Sequence, residues 1–136
     1  MLKKSILFVA LLFGAGLVST AVAQSYTDGV EYFKAGQADR AKIILDNTLP
    51  GLSATDKAAA LYYLGEAELA LGNKEVASKC FNQGVSQDPT YPYNYIGLGK
   101  VLLGTNDKEA EANFKKAVKA AKTEKAEKKT TKKKEN

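Results

Sequence analysis

Apolar runs alternate with short polar turns along this chain, and the lengths of the runs predict helices throughout. In "LYYLGEAELALGNKEVASKCF", Leu61 to Phe81, nearly every residue before Gly72 favours a helix. Each apolar run closes on a glycine, at Gly36, Gly72 and Gly104, and a polar turn follows. Gly72-Asn73 supplies a helix stop and then an N-cap, and Asn106 with Glu109 three residues later reads as a capping box. Pro50-Gly51 and Asp88-Pro89 break the chain between units. Six helices are predicted, at about 26–35, 38–48, 55–71, 74–86, 91–103 and 107–122. Beyond them "KTEKAEKKTTKKKEN" has no large apolar residue, so it is expected to be disordered or a frayed, solvated helix.

Three segments repeat one another. "YTDGVEYFKAGQADRAKIILDNTL" begins at Tyr26, "LYYLGEAELALGNKEVASKCFNQGV" at Leu61 and "YIGLGKVLLGTNDKEAEANFKKAV" at Tyr95. In each, a first glycine (Gly29, Gly65, Gly99) precedes the closing one. An alanine follows (Ala41, Ala77, Ala110), and four residues on stands a large apolar residue (Leu45, Phe81, Phe114). The first glycines are 65 − 29 = 36 and 99 − 65 = 34 residues apart. A glycine inside a helix costs about 1 kcal/mol against alanine. Three in register point to a close crossing, with Gly65 in one helix meeting Ala77 in the next; a larger side chain there would wedge the pair apart at roughly 1–3 kcal/mol.

These residues resemble the tetratricopeptide repeat family, whose unit is about 34 residues folded as helix, turn, helix. In the middle unit Leu61, Leu64, Gly65, Gly72, Ala77, Phe81 and Pro89 all stand where the family pattern puts them. The outer units are looser. The first has Asp28 where leucine is usual, and "NTLPGLSATD" adds two residues before the second unit. In the third, "GTNDKE" brings Ala110 and Phe114 one position early. The resemblance implies an all-α fold, a right-handed superhelical stack of three helix-turn-helix repeats at about 25–52, 58–89 and 92–122. It also implies a concave groove, lined by the first helix of each repeat, that accepts a peptide or partner helix. Carried over position by position, the groove is Tyr26, Val30 and Phe33, then Tyr62, Glu66 and Leu69, then Tyr93, Ile96 and Lys100. Lysine and asparagine at positions 62 and 66 would mark the family's clamp for a partner's C-terminal carboxylate. Tyr62 and Glu66 stand there instead, which argues against that recognition mode.

The two ends differ from the middle. "MLKKSILFVALLFGAGLVSTAVA" has lysines at 3 and 4, an apolar run from Ile6 to Val18 and small residues at Ala21 and Ala23. That is the pattern of a secretory signal peptide, residues 1–23, cut before Gln24. With the repeats it suggests an exported bacterial member of the family, residing in the periplasm or cell envelope. The run is shorter than the roughly 20 residues of a bilayer span. Charge is also divided: Lys115 to Asn136 holds ten lysines and three glutamates, 10 − 3 = +7, against eight basic and twelve acidic residues from Gln24 to Phe114, 8 − 12 = −4. The pI near 9.2 therefore reports the tail, 123–136, and its approach, while the repeat domain, 24–122, is mildly acidic only as far as Phe114.

Candidate chemistry is sparse. The chain has no histidine, which removes the usual neutral-pH base and the commonest zinc ligand. Glu66 and Glu68 diverge on a helix, and Asp107, Glu109 and Glu111 spread around a helix start, where negative charge favours the dipole. "GLGK", Gly97 to Lys100, lacks the spacing of a phosphate loop. Cys80, the single cysteine, is read as a small apolar residue packed between helices. No enzyme, metal or cofactor is expected. The expected activity is binding of another protein or peptide in the groove. Two alternatives are anionic membrane contact through the lysine tail, and self-association of the last repeat, as in the front part of a larger assembly. With no aromatic residue among its lysines, the tail is not expected to recognise nucleic acid specifically.

Overall fold

The computed structural model describes residues 25–134. The predicted leader and its cleavage point before Gln24 lie outside the described residues. All regular structure among the described residues is helical: α1 (Tyr26–Lys34), α2 (Ala38–Thr48), α3 (Ala54–Ala70), α4 (Lys74–Gln87), α5 (Tyr93–Leu102) and α6 (Asp107–Lys134), with a 3-10 turn at Leu49–Gly51. The first five helices begin and end within two residues of the predicted bounds.

Local chemistry sets these limits. Ser25 caps α1 in a capping box with Asp28, and the Ser53 hydroxyl accepts the Asp56 N–H at the start of α3. Gly36, Gly72 and Gly104 close the first helix of each hairpin with φ of +77°, +84° and +79°, a left-handed turn in which any Cβ is strained. Asn106 accepts the Glu109 N–H at 3.2 Å, as a cap should, but the Glu109 carboxylate reaches the Asn106 side chain and so completes a variant of the predicted box. Asn73 departs from expectation. Its side chain makes no cap bond and instead donates to Glu68 at 2.7 Å.

Helices pack in chain order, and α1 with α3 and α3 with α5 also touch, so the first helices of the hairpins stand side by side. The core runs between the two layers. Ala41, Leu45, Ala77 and Phe81 are completely buried and Ala110 nearly so. The glycines explain how such bulk fits, and they add to the expected Gly65–Ala77 crossing. A Cβ on Gly65 would lie closer than 3.0 Å to three atoms of the Phe81 ring, so its absence receives that ring. Gly29 serves Leu45 and Gly99 serves Phe114 in the same way. Gly97 in α5 approaches the same ring atoms of Phe81 as closely, so this ring is seated against glycines of two repeats at once.

Polar groups stitch the repeats further. Lys42 in α2 approaches Glu68 in α3 at 2.6 Å, and Asn73 occupies the other carboxylate oxygen. Burial pushes the Glu68 carboxyl up, but the bonds from Lys42 and Asn73 outweigh it and hold the group below the usual carboxylate range. Asn94 in α5 is fully buried in a slot left by Gly84 and donates to the Ala58 carbonyl at 2.9 Å. Cys80 is buried in the core between the first two repeats, as expected, and burial raises its thiol to about 11.

Of the two expectations for the tail, disorder or a solvated helix, the structure takes the helix. Helix α6 continues without a break from Asp107 to Lys134, well past residue 122, and the side chains beyond Ala121 are exposed except for half-buried Glu124. Alanine, lysine and glutamate are strong helix formers, and Lys128 pairs with Glu124 one turn away. Lack of a core-forming residue removes packing, but it does not remove helical propensity. Among the described residues no helix is long and apolar enough to cross a membrane.

Candidate partner-binding face

The face formed by α1, α3 and α5 carries a connected set of aromatic rings. Phe33 meets Tyr63 edge-on with centroids 5.9 Å apart, and Tyr63 meets Tyr62 at 5.1 Å. Tyr62 then contacts Tyr93 at 5.5 Å and Tyr91 at 6.4 Å, and Tyr91 contacts Tyr93 at 5.3 Å. The chain of rings thus spans all three repeats. It is anchored at its centre, where Tyr62 also leans on buried Phe81 with centroids 6.1 Å apart. Burial is the leading cause that raises the Tyr62 hydroxyl to about 12 and drives that of Tyr91 higher still.

Each predicted groove residue can now be placed. Tyr93 is 48% exposed, and Tyr26, Phe33, Tyr62, Leu69 and Ile96 are half-buried, so each can offer surface to a partner. Val30 is corrected: it is 8% exposed and belongs to the core, because α1 turns it inward beside Gly29. Glu66 and Lys100 are brought together across α3 and α5, with the ammonium donating to both carboxylate oxygens at 2.8 and 2.6 Å. They therefore neutralise one another and do not stand as separate charges for a ligand. Tyr26 donates to Asp56 at 3.2 Å, which ties α1 to α3 at the edge of the face.

Two contributors were missed. Tyr63 and Tyr91 complete the ring chain, yet Tyr63 occupies a repeat-packing position and Tyr91 lies in the turn before α5. The clustering of tyrosine in "TYPYNYIG" was the available signal. Beside Tyr91 lies a cleft of about 440 Å³, bounded by Thr55, Asp88 and Thr90 on one side and by Glu124, Glu127 and Lys128 of α6 on the other. Asp88 accepts from the Thr90 N–H at 2.9 Å and from its hydroxyl at 2.6 Å. Burial raises this carboxyl, but those bonds prevail and hold it low, so the turn that carries Tyr91 is fixed.

The first helices of three successive hairpins thus form one layer that presents a connected set of rings. Residues 58–91, the central hairpin with its flanking turn, match the tetratricopeptide repeat family model. Repeats of this family generally mediate protein–protein interaction through a non-catalytic fold. No curated protein shows significant similarity to the chain.

Proposed function

We propose that the chain is a protein-interaction scaffold of the cell envelope that holds a peptide or helix of a partner protein against the α1, α3 and α5 face. The ring chain from Phe33 to Tyr93 carries this reading. Tyrosines that are half-buried by one another lose little side-chain freedom on binding, and each keeps a polar tip for hydrogen bonding. The Glu66–Lys100 pair fixes the spacing of α3 and α5 beneath them. The envelope assignment rests on the leader sequence.

Selection of binders from a random peptide-display library on the purified chain tests the face. Selected peptides should lose at least about tenfold in affinity for Tyr93→Ala, whose exposed ring can be removed without opening the core. Equal binding to both forms would overturn the proposal. A second reading, adsorption to anionic membrane, draws on α6, where Lys122, Lys125, Lys129 and Lys133 are exposed and lie outside the cleft. Vesicle binding that vanishes in about 0.5 M salt would support it, and the absence of any binding at low salt would remove it.

A further inference from the structure

The outer side of α6 is unlike the same side of α2 and α4. Leu45 and Phe81 are completely buried because the first helix of the following repeat covers each, as Gly97 does for Phe81. Phe114, the third residue of that set, packs on Gly99 within its own repeat but stays partly exposed. One turn on, Val118 is 57% exposed. Among the described residues nothing covers this side.

The residues bordering the bare strip are ordered by charge. Asp107, Glu111, Phe114, Val118, Ala121, Lys125 and Lys129 follow one another at intervals of three and four, so they form a single stripe along α6. Apart from half-buried Phe114 all are exposed, and Ala121, Lys125 and Lys129 border a shallow groove of about 400 Å³. The stripe reads acid, acid, apolar, apolar, apolar, base, base. It is complementary to itself when turned end for end.

We infer that this stripe is a self-association surface on which a second copy of the chain docks its own α6 antiparallel, across a two-fold axis at Val118. In that register Val118 meets Val118, and Phe114 lies over Ala121 and the stem of Lys122. Glu111 faces Lys125 and Asp107 faces Lys129, and symmetry repeats each pair. A parallel pairing would instead set lysine on lysine. The partner helix takes the place that the first helix of a following repeat takes beside α2 and α4. Glu111 is held at present only by Lys115 in an exposed pair, which exchanges at little cost. Isologous contacts of this kind close at two subunits. One helix pair buries less than the roughly 1,200 Å² of a stable interface, so the dimer is weak and dissociates at about 10–100 μM.

Two experiments decide the matter independently of any ligand on the tyrosine face. In a Cys80→Ser background, Val118→Cys should oxidise to a covalent dimer, whereas Ile43→Cys, equally exposed on α2, should not. Equal crosslinking at both sites means random collision and overturns the inference. Sedimentation of the full chain and of charge variants supplies the second test. Glu111→Lys should weaken the dimer by about tenfold, and Glu111→Lys with Lys125→Glu should restore it. A chain that stays monomeric at about 0.5 mM, or grows without limit, or is not rescued by the charge exchange, refutes the antiparallel pairing. Circular dichroism of each variant confirms that the helices remain.

Discussion

Replacing Gly65 by alanine adds one methyl group at the tightest point of the fold. The new Cβ would sit closer than 3.0 Å to three atoms of the Phe81 ring. Whether the ring can yield decides the cost. It has little room to yield, because Phe81 is completely buried and a Cβ on Gly97 would meet the same ring atoms at equally short range. Overpacking of this kind costs about 1–3 kcal/mol, and the better helix propensity of alanine returns about 1 kcal/mol. The net loss for Gly65→Ala is therefore about 1–2 kcal/mol when the clash term dominates.

Gly99→Ala places the same methyl against Phe114, at similarly short distance. There the ring is partly exposed and has no second wall, so it swings aside and the propensity gain remains. The two substitutions should differ by the clash term, about 1–3 kcal/mol, and each kcal/mol is about 4–8 °C in Tm in a domain of this size. Thermal and urea unfolding followed by circular dichroism at 222 nm measures both. Phe81→Leu should relieve much of the Gly65→Ala penalty, since the smaller side chain leaves room for the methyl. Equal melting of Gly65→Ala and Gly99→Ala, or a more stable Gly65→Ala, would refute the claim that Phe81 is clamped between two repeats.

Lys42→Met should destabilise the chain by about 1–3 kcal/mol at pH 7, because it leaves the 2% exposed Glu68 carboxylate with Asn73 alone; the lower end applies since Lys42 is 38% exposed and solvent screens the pair. In the natural chain Glu68 has a lowered folded-state pKa, so its contribution is present above the ordinary glutamate value near 4.5 and is lost as pH falls through the folded value. Lys42→Met should abolish or invert that acid dependence in pH-resolved urea melts. Tyr62 titrates the other way. Its folded pKa of about 12 exceeds the ordinary 10.0, so its share of stability holds below pH 10 and is lost between about 10 and 12, as absorbance at 295 nm recorded alongside helicity will show. Cys80, buried and raised to about 11, should resist a thiol reagent in the native chain at pH 8 and react at once in denaturant; rapid native labelling would contradict its burial.

What the sequence disclosed and what it concealed follow from one distinction. Features fixed by the backbone recur with the repeat and were legible: the left-handed Gly36, Gly72 and Gly104, the small Gly29, Gly65 and Gly99, and the helix bounds they set. Features fixed by a meeting of side chains from different helices were less legible. The small size of Gly65 and Ala77 points to a close crossing, but only the structure shows that the clash excluding a side chain at 65 comes from Phe81, one turn further on. Glu66 and Lys100, 34 residues apart, occupy neighbouring repeats at nearly the same position, so the stacking that makes a face also joins their charges. For the tail, lack of burial leaves both disorder and a solvated helix open in the sequence, and local propensity with i,i+4 pairs sustains the helix. The binding face is therefore a consequence of the core. Because Phe81 is seated in glycines of two successive repeats, the distance between α3 and α5 is set from beneath, and that distance in turn brings Tyr62 to within 5.5 Å of Tyr93. A substitution at buried position 65 should thus disturb the aromatic surface across α3 and α5 before it unfolds the chain, and loss of peptide binding by Gly65→Ala below its melting temperature would show that link directly.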